Sequence, residues 1–164
     1  MDRVFLSLGS NLGDRIGLLK SAVELLEQKY GVVTKSPVYT SPPWGFKSKN
    51  EFLNMCVSFV SSESPQNVLQ HCLDIEDGLG RERNKTVDGY TSRIIDIDIL
   101  YFGVRLIEEA NLHVPHHHLY RRKFVLLPLN DIAPDFIDPF RNKSVSILLN
   151  ECEDSSLLIL HSKI

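Results

Sequence analysis

Two carboxylates separated by one residue interrupt an apolar run, Arg93-Ile94-Ile95-Asp96-Ile97-Asp98-Ile99-Leu100. In a β-strand alternate side chains share a face, so Asp96 and Asp98 would project together with their Cα atoms roughly 7 Å apart. Neighbouring carboxylates repel each other unless a positive group compensates them. Mg²⁺ is a natural candidate, since it is often held by one or two carboxylates, water and substrate phosphates. The alternative is a solvated sheet face paired with Arg93.

Basic side chains precede the acidic pair, at Arg81, Arg83, Lys85 and Arg93. Cations beside metal-binding carboxylates suit phosphoryl transfer, because they neutralise charge on the transferring group and on the leaving oxygen. A solvated polar loop is the alternative for this segment. The neighbouring carboxylates favour the phosphate interpretation.

A second polar cluster follows the acidic strand, with His116, His117 and His118 just before Arg121 and Arg122. Successive histidines point in different directions and seldom share one metal, and the usual zinc spacings are absent. An imidazole that donates to a phosphate is at least as plausible. A polar surface turn is an equal alternative.

A stiff segment with two aromatic side chains, Ser41-Pro42-Pro43-Trp44-Gly45-Phe46, precedes Phe52 and Asn54. Aromatic walls with one amide at the edge suit a flat heterocycle, whose faces stack while the amide reads its ring atoms. For any single aromatic residue, packing on the core is the alternative. The sequence contains neither of the common glycine-rich phosphate-binding motifs.

Composition sets the class of protein. The chain has 164 residues, a hydrophobic fraction of 43% and a net charge of −3. These values fit a single soluble domain, predicted over residues 1–164. The net negative charge gives no overall positive potential that would attract nucleic acid. Three widely spaced cysteines and the lack of a signal peptide or a bilayer-spanning run predict a cytoplasmic protein without membrane partners.

The elements that must hold these residues are visible in the hydrophobic pattern. A strand over Val4–Leu8 precedes a helix that Asp14 can cap, and a second helix begins near Ser64-Pro65. Strands are also predicted over 32–39, 52–60 and the acidic segment. The order β-α-β-β-α-β predicts an α+β fold of the ferredoxin-like type, an antiparallel sheet with packed helices and a C-terminal extension. A short hairpin near Gly103 and a helix near 145–149 follow.

Several ordered motifs together resemble the 6-hydroxymethyl-7,8-dihydropterin pyrophosphokinase family, from about Val4 to Pro134. The motifs are Leu8-Gly9-Ser10-Asn11-Leu12-Gly13, Ser41-Pro42-Pro43, Phe52-Leu53-Asn54, Gly80-Arg81-x-Arg83, Arg93-x-x-Asp96-Ile97-Asp98-Ile99-Leu100, Phe102-Gly103, Val114-Pro115-His116 and Pro128-Leu129-x-x-Ile132-Ala133-Pro134. The resemblance implies a ferredoxin-like fold and transfer of the β,γ-pyrophosphoryl group of ATP to the pterin hydroxymethyl, with release of AMP. His117 departs from the family, which commonly has an aromatic residue there.

The resemblance also implies a role for each matching residue. The catalytic residues would be Arg81, Arg93, Asp96 and Asp98, and the two aspartates would hold two Mg²⁺ ions. The ATP-binding residues would be Glu76, Arg83, Arg93, Ile99, His116 and Arg122. The pterin-binding residues would be Ser41, Pro43, Trp44, Phe52, Asn54 and Phe124. Small-molecule substrates and a monomeric state are expected.

Two other classes of function fit parts of this pattern. A ferredoxin-like small-molecule sensor would need a pocket, but no carboxylate pair beside arginines. A two-metal nucleotidyl transferase acting on nucleic acid should have a broad basic surface, which a net charge of −3 disfavours. The released product separates the three classes: AMP, pyrophosphate or nothing.

Overall fold

A computed structural model describes residues 1–42, 51–80 and 94–164 of the chain. Its strands are β1 (Asp2–Ser10), β2 (Thr34–Lys35), β3 (Val38–Ser41), β4 (Phe52–Ser61), β5 (Asp96–Phe102), β6 (Ile107–Glu109), β7 (Leu112–Val114) and β8 (Ile159–Ser162). Its helices are α1 (Arg15–Tyr30), α2 (Pro65–Gly80), α3 (Lys123–Ile132) and α4 (Val145–Glu151), with a short 3-10 turn at Leu119–Arg121. Within these ranges no helix is both long and apolar enough to cross a membrane.

The main sheet has the strand order β5-β1-β4-β3-β8, and β2 also pairs with β4. All of these pairings are antiparallel. The predicted α+β class, an antiparallel sheet with helices packed on it, is therefore confirmed. The C-terminal part of the chain adds β8 to the free edge of β3.

Local sequence explains where the first two helices begin. The Asp14 carboxylate accepts a hydrogen bond from the Gly17 N–H at 3.1 Å, as a helix N-cap should. Gly31, with a φ of 81°, ends α1 in a conformation that glycine adopts without steric cost. The Ser64 hydroxyl accepts from the Asn67 N–H at 3.2 Å before α2. The predicted starts of both helices are confirmed.

Two apolar cores cover opposite faces of the sheet. Helices α1 and α2 pack on one face, where Leu6, Met55 and Ile97 are buried. The C-terminal helices α3 and α4 pack on the other face, against Phe5 and Cys56. The strands thus alternate between two cores, as side chains on successive positions of a pleated strand must.

Two predicted elements need correction, and a third element is a helix that the sequence pattern did not predict. The strand over 32–39 is divided at Ser36-Pro37 and its second half runs on to Ser41, because a proline has no N–H for the ladder. The hairpin turns at Ala110-Asn111, between β6 and β7, while Gly103 only ends the strand before it. Helix α3 was not predicted, since Pro128 lies inside it and interior proline normally breaks a helix.

Candidate active site

Strand register creates a cavity on the face of the sheet that also carries α3. Gly9 of β1 lies opposite Asn54 on one side and Asp96 on the other. One pleat further along, Ser7 lies opposite Asp98. Side chains from β1, β4 and β5 therefore converge on one spot, which is open because the apolar core under α3 and α4 covers only the other half of this face.

The cavity brings together many of the residues predicted from the sequence. Residues predicted to bind pterin and residues predicted to bind metal or ATP line it together: Ser41, Phe52, Asn54, Asp96, Asp98, Arg122 and Phe124. The residues predicted to bind pterin thus adjoin the carboxylates predicted to bind metal. Strand alternation alone does not give this result, since the residues come from β3, β4, β5 and the segment that opens α3.

A short buried hydrogen bond fixes the amide wall of the cavity. Asn54 Nδ2 donates to Ser41 Oγ at 2.5 Å, and both side chains are buried. Gly9 leaves room for this amide, because a Cβ there would lie 2.9 Å from Asn54 Oδ1. The bond constrains the orientation of the amide that lines the cavity.

Asp96 and Asp98 project from β5, an edge strand of the sheet. The carboxylate of Glu76 accepts a hydrogen bond from the backbone of this strand on its unpaired side. Because β5 lies at the edge of the sheet, the Ile97 N–H has no strand beyond it; it donates instead to Glu76 Oε2 at 2.7 Å. Asp96 and Asp98 then face the cavity while Ile97 is buried on the other side. The side chain of Asp98 is 44% exposed, so its oxygens are accessible to a hydrated ion. Two adjacent carboxylates offer oxygen ligands only, and this donor set fits Mg²⁺.

The start of α3 supplies the opposite wall. Arg122 immediately precedes this helix and Phe124 lies in its first turn. The guanidinium carbon of Arg122 lies 5.6 Å from the centre of the Phe124 ring, within cation–π range. Burial lowers the pKa of Arg122, while Asp98 and Asp96 act in the opposite direction. A partly desolvated cation thus stands across the cavity from the carboxylate pair.

A second cavity adjoins the first at Asp98. It lies between α2, β5 and the histidine turn at 116–118, and its walls include Leu69, Ile99 and His116. His116 Nε2 is 3.9 Å from Asp98 Oδ2, and the His116 N–H donates to the Leu100 carbonyl at 3.1 Å. Burial, and next the Arg122 charge, lower the pKa of His116 to about 4, so the imidazole is neutral at pH 7 and can donate one hydrogen bond.

Comparison with known proteins identifies the family that this geometry fits. Residues 5–134 match the family model described as 7,8-dihydro-6-hydroxymethylpterin-pyrophosphokinase (HPPK). The chain belongs to the HPPK family. A 2-amino-4-hydroxy-6-hydroxymethyldihydropteridine pyrophosphokinase of Porphyromonas gingivalis is 44% identical over 133 residues, which are 80% of this chain and 90% of that protein. One of Methylorubrum extorquens is 40% identical over 139 residues, 84% of this chain and 86% of that protein.

Solved structures agree with this at the level of the fold. A crystal structure of a Plasmodium falciparum HPPK-DHPS triple mutant with SDX-DHP superposes with a TM-score of 0.73 at 18% identity. The match covers 92% of this chain and 44% of that one, so this chain spans less than half the length of that protein. The family model and the two relatives confirm the resemblance to the HPPK family that the sequence motifs indicated.

Not every predicted site residue lies in the described ranges. Those outside them are Pro43, Trp44, Arg81, Arg83 and Arg93. Glu76 contacts the β5 backbone, and Ile99 and His116 line the second cavity. Ser7, Gly9 and Pro42 line the first cavity without having been predicted as site residues. Ser7 offered a signal, since a polar side chain interrupts the apolar β1.

Proposed function

We propose that this protein transfers the β,γ-pyrophosphoryl group of ATP to the hydroxymethyl of 6-hydroxymethyl-7,8-dihydropterin, giving the pterin diphosphate and AMP. Membership of the HPPK family makes the chain a pyrophosphokinase of folate biosynthesis. The observation that carries the proposal for this chain is the first cavity. There a Ser41–Asn54 amide wall and Phe124 lie beside the Asp96 and Asp98 carboxylates.

The pterin would lie between aromatic walls with its polar edge on the amide. Phe124 and Phe52 line the cavity from α3 and β4, and flat heterocycles stack on such faces. The Asn54 amide donates to Ser41, which leaves its oxygen and second N–H to read the ring. Trp44 remains a predicted second stacking partner. A pterin bound in this way would have its hydroxymethyl near the carboxylate pair, which lines the same cavity.

Asp96 and Asp98 would hold two Mg²⁺ ions, a number that rests on the family resemblance. Bound there, the metal would neutralise and orient the phosphates of ATP. The carboxylates reach the cavity together because Glu76 holds the backbone between them. Arg122 faces the same space and would contact the phosphates, with Arg81, Arg83 and Arg93 predicted to add further positive charge.

ATP would extend from the carboxylates into the second cavity. Asp98 lines both cavities, so a triphosphate at the metal site can continue past His116 toward Ile99. A neutral His116 donates a hydrogen bond to a phosphate or ribose oxygen without adding charge. The two substrates then meet at Asp98, which supports direct transfer without a covalent enzyme intermediate.

In the transfer step, the hydroxymethyl oxygen forms a bond to the β-phosphorus of ATP. The bond between that phosphorus and the oxygen bridging to the α-phosphate breaks, the electron pair leaves with AMP, and the hydroxyl proton is released. This chain contributes orientation through Asn54 and Phe124 and charge stabilisation through Arg122.

We further propose that residues 1–164 form one ferredoxin-like domain that acts as a monomer in the cytoplasm. The order β5-β1-β4-β3 with two helices on one face supports the ferredoxin-like assignment. Strand β8 and helices α3 and α4 would be additions to it. Three free cysteines, two of them buried, support a reducing compartment.

The direct test is the pterin-dependent formation of AMP from ATP and Mg²⁺. We expect AMP and pterin diphosphate in equal amounts, and no AMP when pterin is omitted. Pyrophosphate as the product would indicate nucleotidyl transfer. Binding of pterin with no product, in a protein of verified fold, would favour the sensor and overturn the proposal.

A further inference from the structure

Three metal-ligating side chains that are not among the predicted site residues meet beside the second cavity, which two of them line. Glu108 and His113 face each other across the β6–β7 hairpin, and His117 approaches from the following turn. His113 Nδ1 lies 3.1 Å from Glu108 Oε2, and His117 Nε2 lies 3.2 Å from Glu108 Oε1. The two imidazole rings stack with their centres 3.9 Å apart. One carboxylate and two imidazole nitrogens thus lie close together.

The donor atoms lie close enough together to serve as ligands of a small divalent metal. A tetrahedral ion with ligand distances of about 2.0–2.2 Å holds its ligand atoms roughly 3.3–3.5 Å from one another. In the cluster one ligand atom from each residue lies within 4.8 Å of the others. We propose that Glu108, His113 and His117 form a site for a borderline transition metal of the Zn²⁺ type.

The chemistry of this site differs from that of the proposed Mg²⁺ pair. Imidazole nitrogen suits Zn²⁺, Co²⁺ and Ni²⁺, whereas Asp96 and Asp98 offer only the hard oxygen ligands that Mg²⁺ prefers. The exposed fractions of the Glu108, His113 and His117 side chains are 69%, 40% and 52%. An ion can therefore enter from solvent and keep water in its remaining position. Two protein-held imidazoles and a carboxylate with one open position match known His₂Glu metal sites.

The three consecutive histidines do not form the site by themselves. His116 is turned inward, where its Nδ1 accepts from the His118 N–H at 3.2 Å and its Nε2 faces Asp98. The His118 ring contacts Arg121 at 2.7 Å. Only His117 reaches Glu108, and the second imidazole comes from the hairpin. This agrees with the expectation that adjacent histidines seldom share a metal.

A bound ion would cross-link the β6–β7 hairpin to the turn at 116–118 that follows it. His113 and His117 both line the second cavity, so the ion would tether the hairpin to the turn that carries His116. Because the unfolded chain does not hold these ligands together, binding stabilises the folded state and raises the thermal midpoint. This inference does not depend on the proposed reaction.

The test uses Co²⁺ as a visible probe and Zn²⁺ as a competitor, in excess Mg²⁺ to fill sites made of oxygen ligands. We expect the wild-type chain to bind one Co²⁺ with the absorption of a four-coordinate ion, and Zn²⁺ to displace it. Loss of a ligand in Glu108→Gln, His113→Ala or His117→Ala should weaken Zn²⁺ binding by about tenfold or more, since even second-shell changes commonly cost tenfold. The same variants should lose the rise in thermal midpoint that Zn²⁺ causes.

Two controls match the chemistry of the substitutions. Glu109→Gln alters the adjacent carboxylate, which accepts a hydrogen bond from Gln66 instead. His161→Ala removes an exposed imidazole on β8. Both should bind Zn²⁺ as the wild type does. The proposal is overturned if the wild type binds no stoichiometric Zn²⁺, or if the ligand variants bind it as tightly as the controls.

Discussion

The two cavities that meet at Asp98 are built in different ways. The first rests on three neighbouring strands of the sheet, β5, β1 and β4, whose pairing fixes Gly9, Asn54 and Asp96 in register. The second lies at the sheet edge, closed by a two-residue hairpin loop and a histidine turn. A rigid floor suits the substrate whose ring and reacting oxygen must be positioned.

Activity should be most sensitive to substitution of the carboxylate pair, Asp96 and Asp98, the second of which lines both cavities. We expect Asp98→Ala, and equally Asp96→Ala, to lower kcat by roughly 10³-fold or more, since loss of one charge-stabilising group in phosphoryl transfer has that effect. Each change removes a proposed metal ligand and no core contact, so the protein should remain folded. The measurement is the steady-state rate of AMP formation, with circular dichroism to verify the fold.

Asp135→Ala is the matched control for this pair, because Asp135 is exposed and lies outside both cavities. Its kcat should equal that of the wild type. Near-normal turnover in either Asp96→Ala or Asp98→Ala would show that the carboxylate pair is not the metal site. It would also contradict the proposal that the two cavities meet at a shared metal.

Binding of the pterin in the first cavity can be weakened separately by removing an aromatic side chain from its wall. Phe124→Ala should raise the KM for the pterin roughly tenfold, because stacking on an aromatic ring contributes about 1–3 kcal/mol per base. The dissociation constant for an ATP analogue should change much less, as Phe124 does not line the second cavity. Phe140→Ala, at an exposed ring, is the control. Equal losses for both ligands would contradict a stacking role.

The reciprocal change acts on the second cavity. His116→Ala should weaken binding of the ATP analogue about fivefold, since a hydrogen bond contributes about 1 kcal/mol, and should alter the pterin KM less. Isothermal titration with each ligand measures both effects. Replacement of the remote imidazole, His161→Ala, should leave both affinities unchanged. A larger effect on pterin than on nucleotide would reverse our assignment of the cavities.

The first cavity was more predictable from sequence than the second. Period-two alternation places Asp96 and Asp98 on one face, and family motifs add Asn54 and Ser41. The sheet order that joins them is a tertiary property, and so is α3, whose Pro128 argues locally against a helix. The Glu108–His113–His117 cluster was not predicted, because the hairpin register that pairs Glu108 with His113 depends on a turn at Ala110-Asn111 that carries no strong hairpin signal.

The smallest expected effect comes from the close packing of Gly9 against the Asn54 side chain in the first cavity. In Gly9→Ala the new methyl would lie 2.9 Å from Asn54 Oδ1, so the amide must move by a few tenths of an ångström and strain its bond to Ser41. Weakening one hydrogen bond by about 0.5 kcal/mol should raise the pterin KM two- to threefold and leave ATP binding unchanged. Gly78→Ala is the matched control, since nothing lies within 4 Å of a Cβ there and alanine in a helix is favourable. If Gly9→Ala affected the nucleotide as much as the pterin, the two cavities would have to be treated as one coupled site.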